Sequence, residues 1–200
     1  MLTKILKSNK TKDLKEIVEN DGVIAFPTET VFGIGIRSDS FLAYNKLFDA
    51  KKRPQSKQLT LMLHNVNDIK KYAQINETAA KVIEKFMPGP ITIVLPKLAN
   101  VNLVGLDETV GIRVPDDDEI RTMLENIQIP MYVTSANISG QPALEDFDEV
   151  YKQFNGHIEA IVKGDSGHQM PSTVVNVSDQ GFVILREGTI TLNDLKGVSD

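Results

Sequence analysis

Four short stretches of this sequence set a cation, an amide or a hydroxyl beside glycine or proline: AKKRP with Lys51 and Arg53, TVGIRVP with Arg113, VTSANISG with Ser135 and Asn137, and ILREG with Arg186. Lysine and arginine give charge-assisted hydrogen bonds to carboxylate and phosphate oxygens, and the arginine fork gives two in parallel. Any one of these residues reads first as a solvated surface charge. Their joint placement at the ends of apolar runs points instead to a shared anion site. In TVGIRVP the period of two puts Val110, Ile112 and Val114 on one face and Thr109, Gly111 and Arg113 on the other. An arginine turned from a core, next to a residue without a side chain, has room for a ligand carboxylate or phosphate. A fifth stretch, VIAFPTETVFGIG, runs from four apolar residues into Pro27, then Thr28, Glu29 and Thr30, then Gly33 and Gly35. Proline cannot donate to a sheet ladder, and glycine admits a close approach of backbone or ligand. The stretch taken alone fits a hydroxyl-capped turn as well as it fits a ligand loop.

Several chemistries are excluded. Gly33-Ile34-Gly35 is not a dinucleotide fingerprint, because Ser38 stands where the third glycine belongs, and a Walker A loop is missing. The chain has no cysteine, hence no thiol nucleophile, no thiolate-bound zinc and no disulfide, which suits a reducing cytoplasm. His64, His157 and His168 are scattered without metal-ligand spacing, and no protein metal site is expected. The acids Asp116 to Glu119 precede IRTMLENI and read as a helix N-terminus, not a metal cluster. Lys4, Lys7, Lys10, Lys12 and Lys15 read as a solvated face, with an RNA or protein contact as the lesser reading. A net charge of −5 argues against a protein whose main work is gripping nucleic-acid phosphates. No apolar run suits a signal peptide or a membrane span. A cytoplasmic protein without membrane association is expected.

The elements that must position these residues alternate in type. At 200 residues and 41% apolar content the chain reads as one globular domain, 1–200, with a core needing no staples. TKDLKEIVEN forms a helix with Leu14, Ile17 and Val18 inward, ended by Gly22 as the residue after its cap. SDSFLAYNKLFDAK forms another, capped by Ser38 or Asp39, with Phe41, Tyr44, Leu47 and Phe48 inward, ending before Pro54. DIKKYAQ and ETAAKVIEKFM read as helices, the second closed by the turn PGP. ALEDFDEVYKQFNG gives a stripe of Leu144, Phe147, Val150, Tyr151 and Phe154 that stops at Asn155-Gly156. VIAF, LTLML, ITIVL, TVGIRVP and PMYVTS read as strands, and STVVNVSDQGFVILREG as a hairpin turning at Asp179 to Gly181. The sum is an α/β domain, a mixed sheet with helices on its faces.

PTETVFGIG, KKRP, PGPITIVL, VGIRVP, TSANISG, PSTVVNV and ILREGTI together resemble, in order and rough spacing, the YrdC-like threonylcarbamoyl-AMP synthases, over residues 22–190. The resemblance implies a twisted open α/β sheet around a large basic cavity. It implies a nucleotidyltransferase that joins L-threonine, bicarbonate and ATP into threonylcarbamoyl-adenylate and pyrophosphate, the first step of tRNA threonylcarbamoyladenosine formation. It implies a catalytic set of Lys51, Arg53, Ser135 and Asn137. Thr30, Arg113, Ser135 and Ser172 match threonine-side positions; Lys51, Arg53, Lys57, Thr109, Asn137 and Arg186 match nucleotide-side ones. Magnesium would arrive with ATP without a dedicated protein cage, and a downstream tRNA threonylcarbamoyl transferase complex would take the product, with at most a weak tRNA contact here. The chain departs from the family pattern at Phe32, where tyrosine is usual, at Lys57 and at Gln58 of Gln58-Leu59, where proline-leucine is common, and at Met62. Two rivals are an RNA-binding module for double-stranded or ribosomal RNA and a carbamoylation domain like that of hydrogenase maturation factors.

Overall fold

The computed structural model describes residues 2–54, 58–167, 170–178 and 181–197. In chain order the elements are β1 Lys4–Leu6, α1 Thr11–Glu19, β2 Ile24–Phe26, β3 Gly33–Arg37, α2 Phe41–Lys51, β4 Thr60–Met62, α3 Glu77–Phe86, β5 Ile91–Pro96, β6 Thr109–Arg113, α4 Asp118–Ile127, β7 Met131–Ser135, α5 Phe147–Phe154, β8 Ala160–Val162, β9 Thr173–Ser178, β10 Gly181–Arg186 and α6 Leu192–Lys196. The strands form one mixed sheet in the order β1-β8-β2-β3-β7-β4-β6-β5-β9-β10, open at β1 and β10. The α/β open sheet expected from the sequence is what the chain forms.

Side-chain alternation divides the core between the two faces. On β2, Ala25 joins one buried cluster with Leu47 of α2, Val82 of α3 and Phe154 of α5. Its neighbours Ile24 and Phe26 join the other, with Leu14 of α1 and Leu124 of α4. The second pair of helices covers only part of its face. Farther along, Thr60 pairs with Gly111 and Met62 with Arg113 across β4 and β6, Val94 pairs with Gly111 across β5 and β6, and Thr92 pairs with Val174 across β5 and β9. All of these residues line a cavity instead of a helix interface.

Local details differ from the sequence expectations. Asp21, not Gly22, takes the left-handed conformation (φ 58) after α1. Gly22 is needed for a different reason: its N–H bonds to Ile17 O at 2.8 Å, and a Cβ there would fall 2.4 Å from the Ile17 side chain. The cap of α2 is Ser40, which accepts from Ala43 N. Ser38 is buried and Asp39 is held by Arg37, with Arg37 Nε 2.6 Å from Asp39 Oδ1, so neither reaches the helix end. Phe41 is 64% exposed and lies off the inner face. Only the first four residues of DIKKYAQ are helical, within a 3-10 segment, Val66–Lys71. The last long helix starts only at Phe147, leaving Leu144 in the loop ahead of it. Strands β1, β3 and β8 and helix α6 were not expected. The acids before α4 do cap it, Asp117 accepting from Ile120 N at 3.0 Å. The hairpin β9–β10 is present, and Asp179 of its expected turn lies outside the described residues.

Candidate active site

The cavity has a volume of about 250 Å³ and opens on the face left bare by α1 and α4. Three guanidinium groups line it, from Arg53, Arg113 and Arg186, together with hydroxyls of Thr28, Thr30, Thr60, Thr92, Ser135 and Ser172. Each cation reaches it by a different local device.

Arg113 arrives by strand parity, as the sequence predicts: Val110, Ile112 and Val114 are fully buried in the core, and Gly111 and Arg113 face the cavity. The guanidinium is held on one side. Its Nη2 lies 2.7 Å from Glu29 Oε1 and donates to Thr30 Oγ1 at 3.1 Å. Thr30 Oγ1 in turn lies 3.0 Å from Thr28 Oγ1, which donates to Val31 O. The PTET loop is therefore a hydrogen-bonded turn that carries a carboxylate and a hydroxyl to Arg113. The loop fits both of the readings its sequence allowed. Gly33 is the first residue of β3, where a Cβ would meet Val133 Cγ1 at 2.9 Å.

Arg53 arrives by a helix ending. Lys52 adopts φ +48, and Lys52 and Arg53 return their N–H groups to Asp49 O and Phe48 O. A left-handed residue other than glycine costs about 1–2 kcal/mol. That reversal separates the two cations of KKR. Lys51, on the last turn of α2, is 1% exposed, and its ammonium donates to Ser135 O and, at 2.8 Å, to Asn137 O. Arg53 emerges over the Phe48 ring, 5.8 Å from its centroid, and donates to Gln58 O at 2.9 Å.

Arg186 arrives by a bulge. Along β10 the pairing shifts between Ile184 and Arg186, so two residues of β10 oppose one of β9. Phe182 and Ile184 pack against the core, while Leu185 and Arg186 line the cavity. Arg186 Nε and Nη2 both donate to Ser172 O, at 3.2 and 2.7 Å, and Ser172 Oγ meets Thr92 Oγ1 at 3.1 Å. Burial lowers the pKa of Arg186 from its ordinary value, helped by the positive charge of Arg113; burial lowers that of Arg53 as well, with a smaller push from Arg186. Three like charges sharing one partly desolvated space favour an anion between them.

The sequence-derived set is thus sorted by position. Thr30, Arg53, Arg113, Ser135, Ser172 and Arg186 line the cavity. Lys51 and Asn137 are buried behind its wall. Asn137 Oδ1 accepts from Ser135 Oγ at 2.6 Å, and its Nδ2 donates to Ile138 O and Gln141 O. Thr109 lies at the far end of β6 opposite Pro96, roughly 13 Å from Arg113 along an extended strand, and is not among the lining residues. Lys57 lies outside the described residues, as does His168. Among the departures, Phe32 is fully buried and Met62 lines the cavity. Thr92 has no place in the sequence-derived set, and Thr28 and Glu29 enter it only as parts of the stretch PTET. Thr92 was within reach of the argument, being a hydroxyl at a cavity-facing position of the otherwise apolar ITIVL. The described residues hold no cluster of His, Asp or Glu suited to a metal. The donors around the cavity are guanidinium groups and hydroxyls, which do not fit a protein-held magnesium ion.

The family model Sua5/YciO/YrdC, described as "Telomere recombination", matches residues 16–188. A relative from Methanocaldococcus jannaschii, provisionally named a threonylcarbamoyl-AMP synthase, is 33% identical over 183 residues, 91% of this chain and 87% of its own. The threonylcarbamoyl-AMP synthase of Pyrococcus abyssi is 35% identical over 88% of this chain, which spans about half, 53%, of that protein. The crystal structure of P. abyssi Sua5 complexed with L-threonine superposes with a TM-score of 0.90 at 30% identity, covering 99% of this chain and 61% of that one. With its family match running from α1 into the loop after β10, across every strand that frames the cavity, the chain belongs to the Sua5/YciO/YrdC family.

Proposed function

We propose that the protein is an L-threonylcarbamoyladenylate synthase, converting L-threonine, bicarbonate and ATP into threonylcarbamoyl-adenylate and pyrophosphate. The observation that carries this reading is the gathering of Arg53, Arg113 and Arg186 on one hydroxyl-lined cavity. All three reactants are anionic or carry a carboxylate, and the chemistry needs no protein nucleophile. Threonine's amine adds to bicarbonate or carbon dioxide, forming a carbamate and releasing water or a proton. A carbamate oxygen then attacks the α-phosphorus of ATP, and the bond to the bridging oxygen breaks, expelling pyrophosphate.

The site's work is alignment and charge stabilisation. Arg113, fixed by Glu29 and Thr30, takes the threonine carboxylate, and Thr30 and Ser172 orient its polar groups. Arg53 and Arg186 take phosphate oxygens. Lys51 acts from behind the wall: with Asn137 it fixes the end of β7, from which Ser135 faces the reactants. Magnesium enters as part of the MgATP substrate, carried by phosphate oxygens and water. The product is a labile mixed anhydride, to be consumed by a tRNA threonylcarbamoyl transferase in the cytoplasm, with no more than a weak tRNA contact on this protein. No helix among the described residues is long and apolar enough to cross a membrane.

The test is pyrophosphate release with ATP, bicarbonate and each amino acid in turn. Release should require bicarbonate and be greatest with threonine. Equal release with ATP alone would reject the assignment in favour of a nucleotide hydrolase.

A further inference from the structure

The ion pair between Glu29 and Arg113 is made on one prong only. Arg113 Nη2 lies 2.7 Å from Glu29 Oε1, and the two side chains are 8% and 15% exposed. Glu29 Oε1 also accepts from Asp116 N at 3.0 Å, so the carboxylate ties the loop after β2 to the segment after β6. The other two atoms a side-on fork would use, Arg113 Nε and Glu29 Oε2, are both buried and have no hydrogen-bond partner among the described residues. Buried donors and acceptors without partners are rare in folded proteins and costly. With both atoms closed off, the pair is fixed by its single Nη2–Oε1 contact while Arg113 still lines the cavity.

Resting on the functional reading above, we infer that Glu29 is a positioning residue for the amino-acid subsite: it fixes the guanidinium plane of Arg113, so that the substrate carboxylate meets a preset donor edge. Nη2 is committed between Glu29 and Thr30, and the incoming carboxylate takes the guanidinium N–H groups that still face the cavity. Preset geometry removes the ordering cost that a free arginine would bear on binding. Glu29 is itself braced. A Cβ on Gly167 would fall 1.8 Å from Glu29 O, so the loop after β8 lies directly on this backbone.

Two other roles for Glu29 would fit the same contacts but give different outcomes. If Glu29 merely held Arg113 until substrate displaced it, removing it would tighten threonine binding. If it only held the fold together, all substrates would suffer alike. Steady-state kinetics on Glu29→Ala and Glu29→Gln distinguish these. In Glu29→Ala the threonine KM should rise roughly tenfold or more, with ATP KM and kcat within about twofold, and discrimination against threoninamide, which lacks the carboxylate, should shrink. Glu29→Gln, whose amide oxygen can still accept from Asp116 N and lie against Nη2, should recover most of the loss. Should Glu29→Ala not fold, Glu29→Asp gives the same reading, because it keeps the charge but withdraws the oxygen from Arg113. An active parent whose variants show an unchanged or lower threonine KM, or equal losses for both substrates, overturns this inference alone. A parent with no threonine-dependent turnover overturns the functional reading and this inference with it.

Discussion

Arg113 carries the sharpest consequences at the level of single residues. Deleting its side chain would strand Glu29 as a buried, unpaired carboxylate, so Arg113→Lys is the cleaner substitution. An ammonium keeps the charge but not the fork. Threonine affinity should fall by about 1.5–3 kcal/mol, roughly tenfold to a hundredfold, with ATP affinity little changed, both read by calorimetric titration. Threonine binding that holds while ATP binding collapses would move Arg113 to the nucleotide side. Lys51 and Arg53, neighbours in sequence, should separate in their effects. Lys51→Met leaves two backbone carbonyls behind the wall without their ammonium and should lower stability in urea unfolding by about 1–3 kcal/mol. Arg53→Ala should cost less stability and more ATP affinity. Equal stability losses for the two would contradict the separation of KKR into a buried clamp and a cavity-lining cation.

Among the elements, what the sequence revealed depended on whether local pattern or distant pairing decided the outcome. Strand β6 alternates cleanly, so the cavity-facing side of Arg113 was legible from TVGIRVP alone. Along GFVILR the same parity would place Arg186 with Phe182 and Ile184 toward the core, and only the bulge in β10 turns it to the cavity. A bulge is a matter of two-strand register, which one strand's sequence does not contain. Strand β3 was missed because GIGIR has two glycines, poor strand formers alone; its pairing with both β2 and β7 overrides that propensity. Strands β1 and β8 have only three residues each and are defined by pairing with each other, β8 also with β2. Lys4 within β1 and Lys7 just after it are exposed, as their sequence suggests, yet they hid the strand. Nothing in KKR announces the left-handed turn at Lys52 that sends Lys51 behind the cavity wall and Arg53 onto its lining. The loop contact at Gly167 yields an element-scale prediction. Gly167→Ala drives a methyl into the backbone of Glu29 and should destabilise the protein by about 1–3 kcal/mol and weaken threonine binding, measured by urea unfolding and titration. Wild-type values for both would show that the two loops are not mechanically joined.

For the whole molecule, the informative feature is the contrast between its charge and its cavity. The chain carries a net charge of −5, yet three guanidinium groups meet in one space. An acidic surface repels long polyanions, and a recessed basic site still attracts small ones, because low-dielectric walls focus the local field. This arrangement suits a nucleotide and an amino acid better than an RNA duplex, and it sets the RNA-binding reading aside on physical grounds. The proposed function is the joining of three small reactants into one adenylate in this cavity. It is tested most directly by incubating the protein with ATP, L-threonine and carbon-13 bicarbonate and identifying the nucleotide product by mass spectrometry. Threonylcarbamoyl-adenylate bearing one labelled carbon is expected, in step with pyrophosphate. Pyrophosphate release that is independent of threonine and bicarbonate, or an adenylate without the labelled carbon, would contradict it.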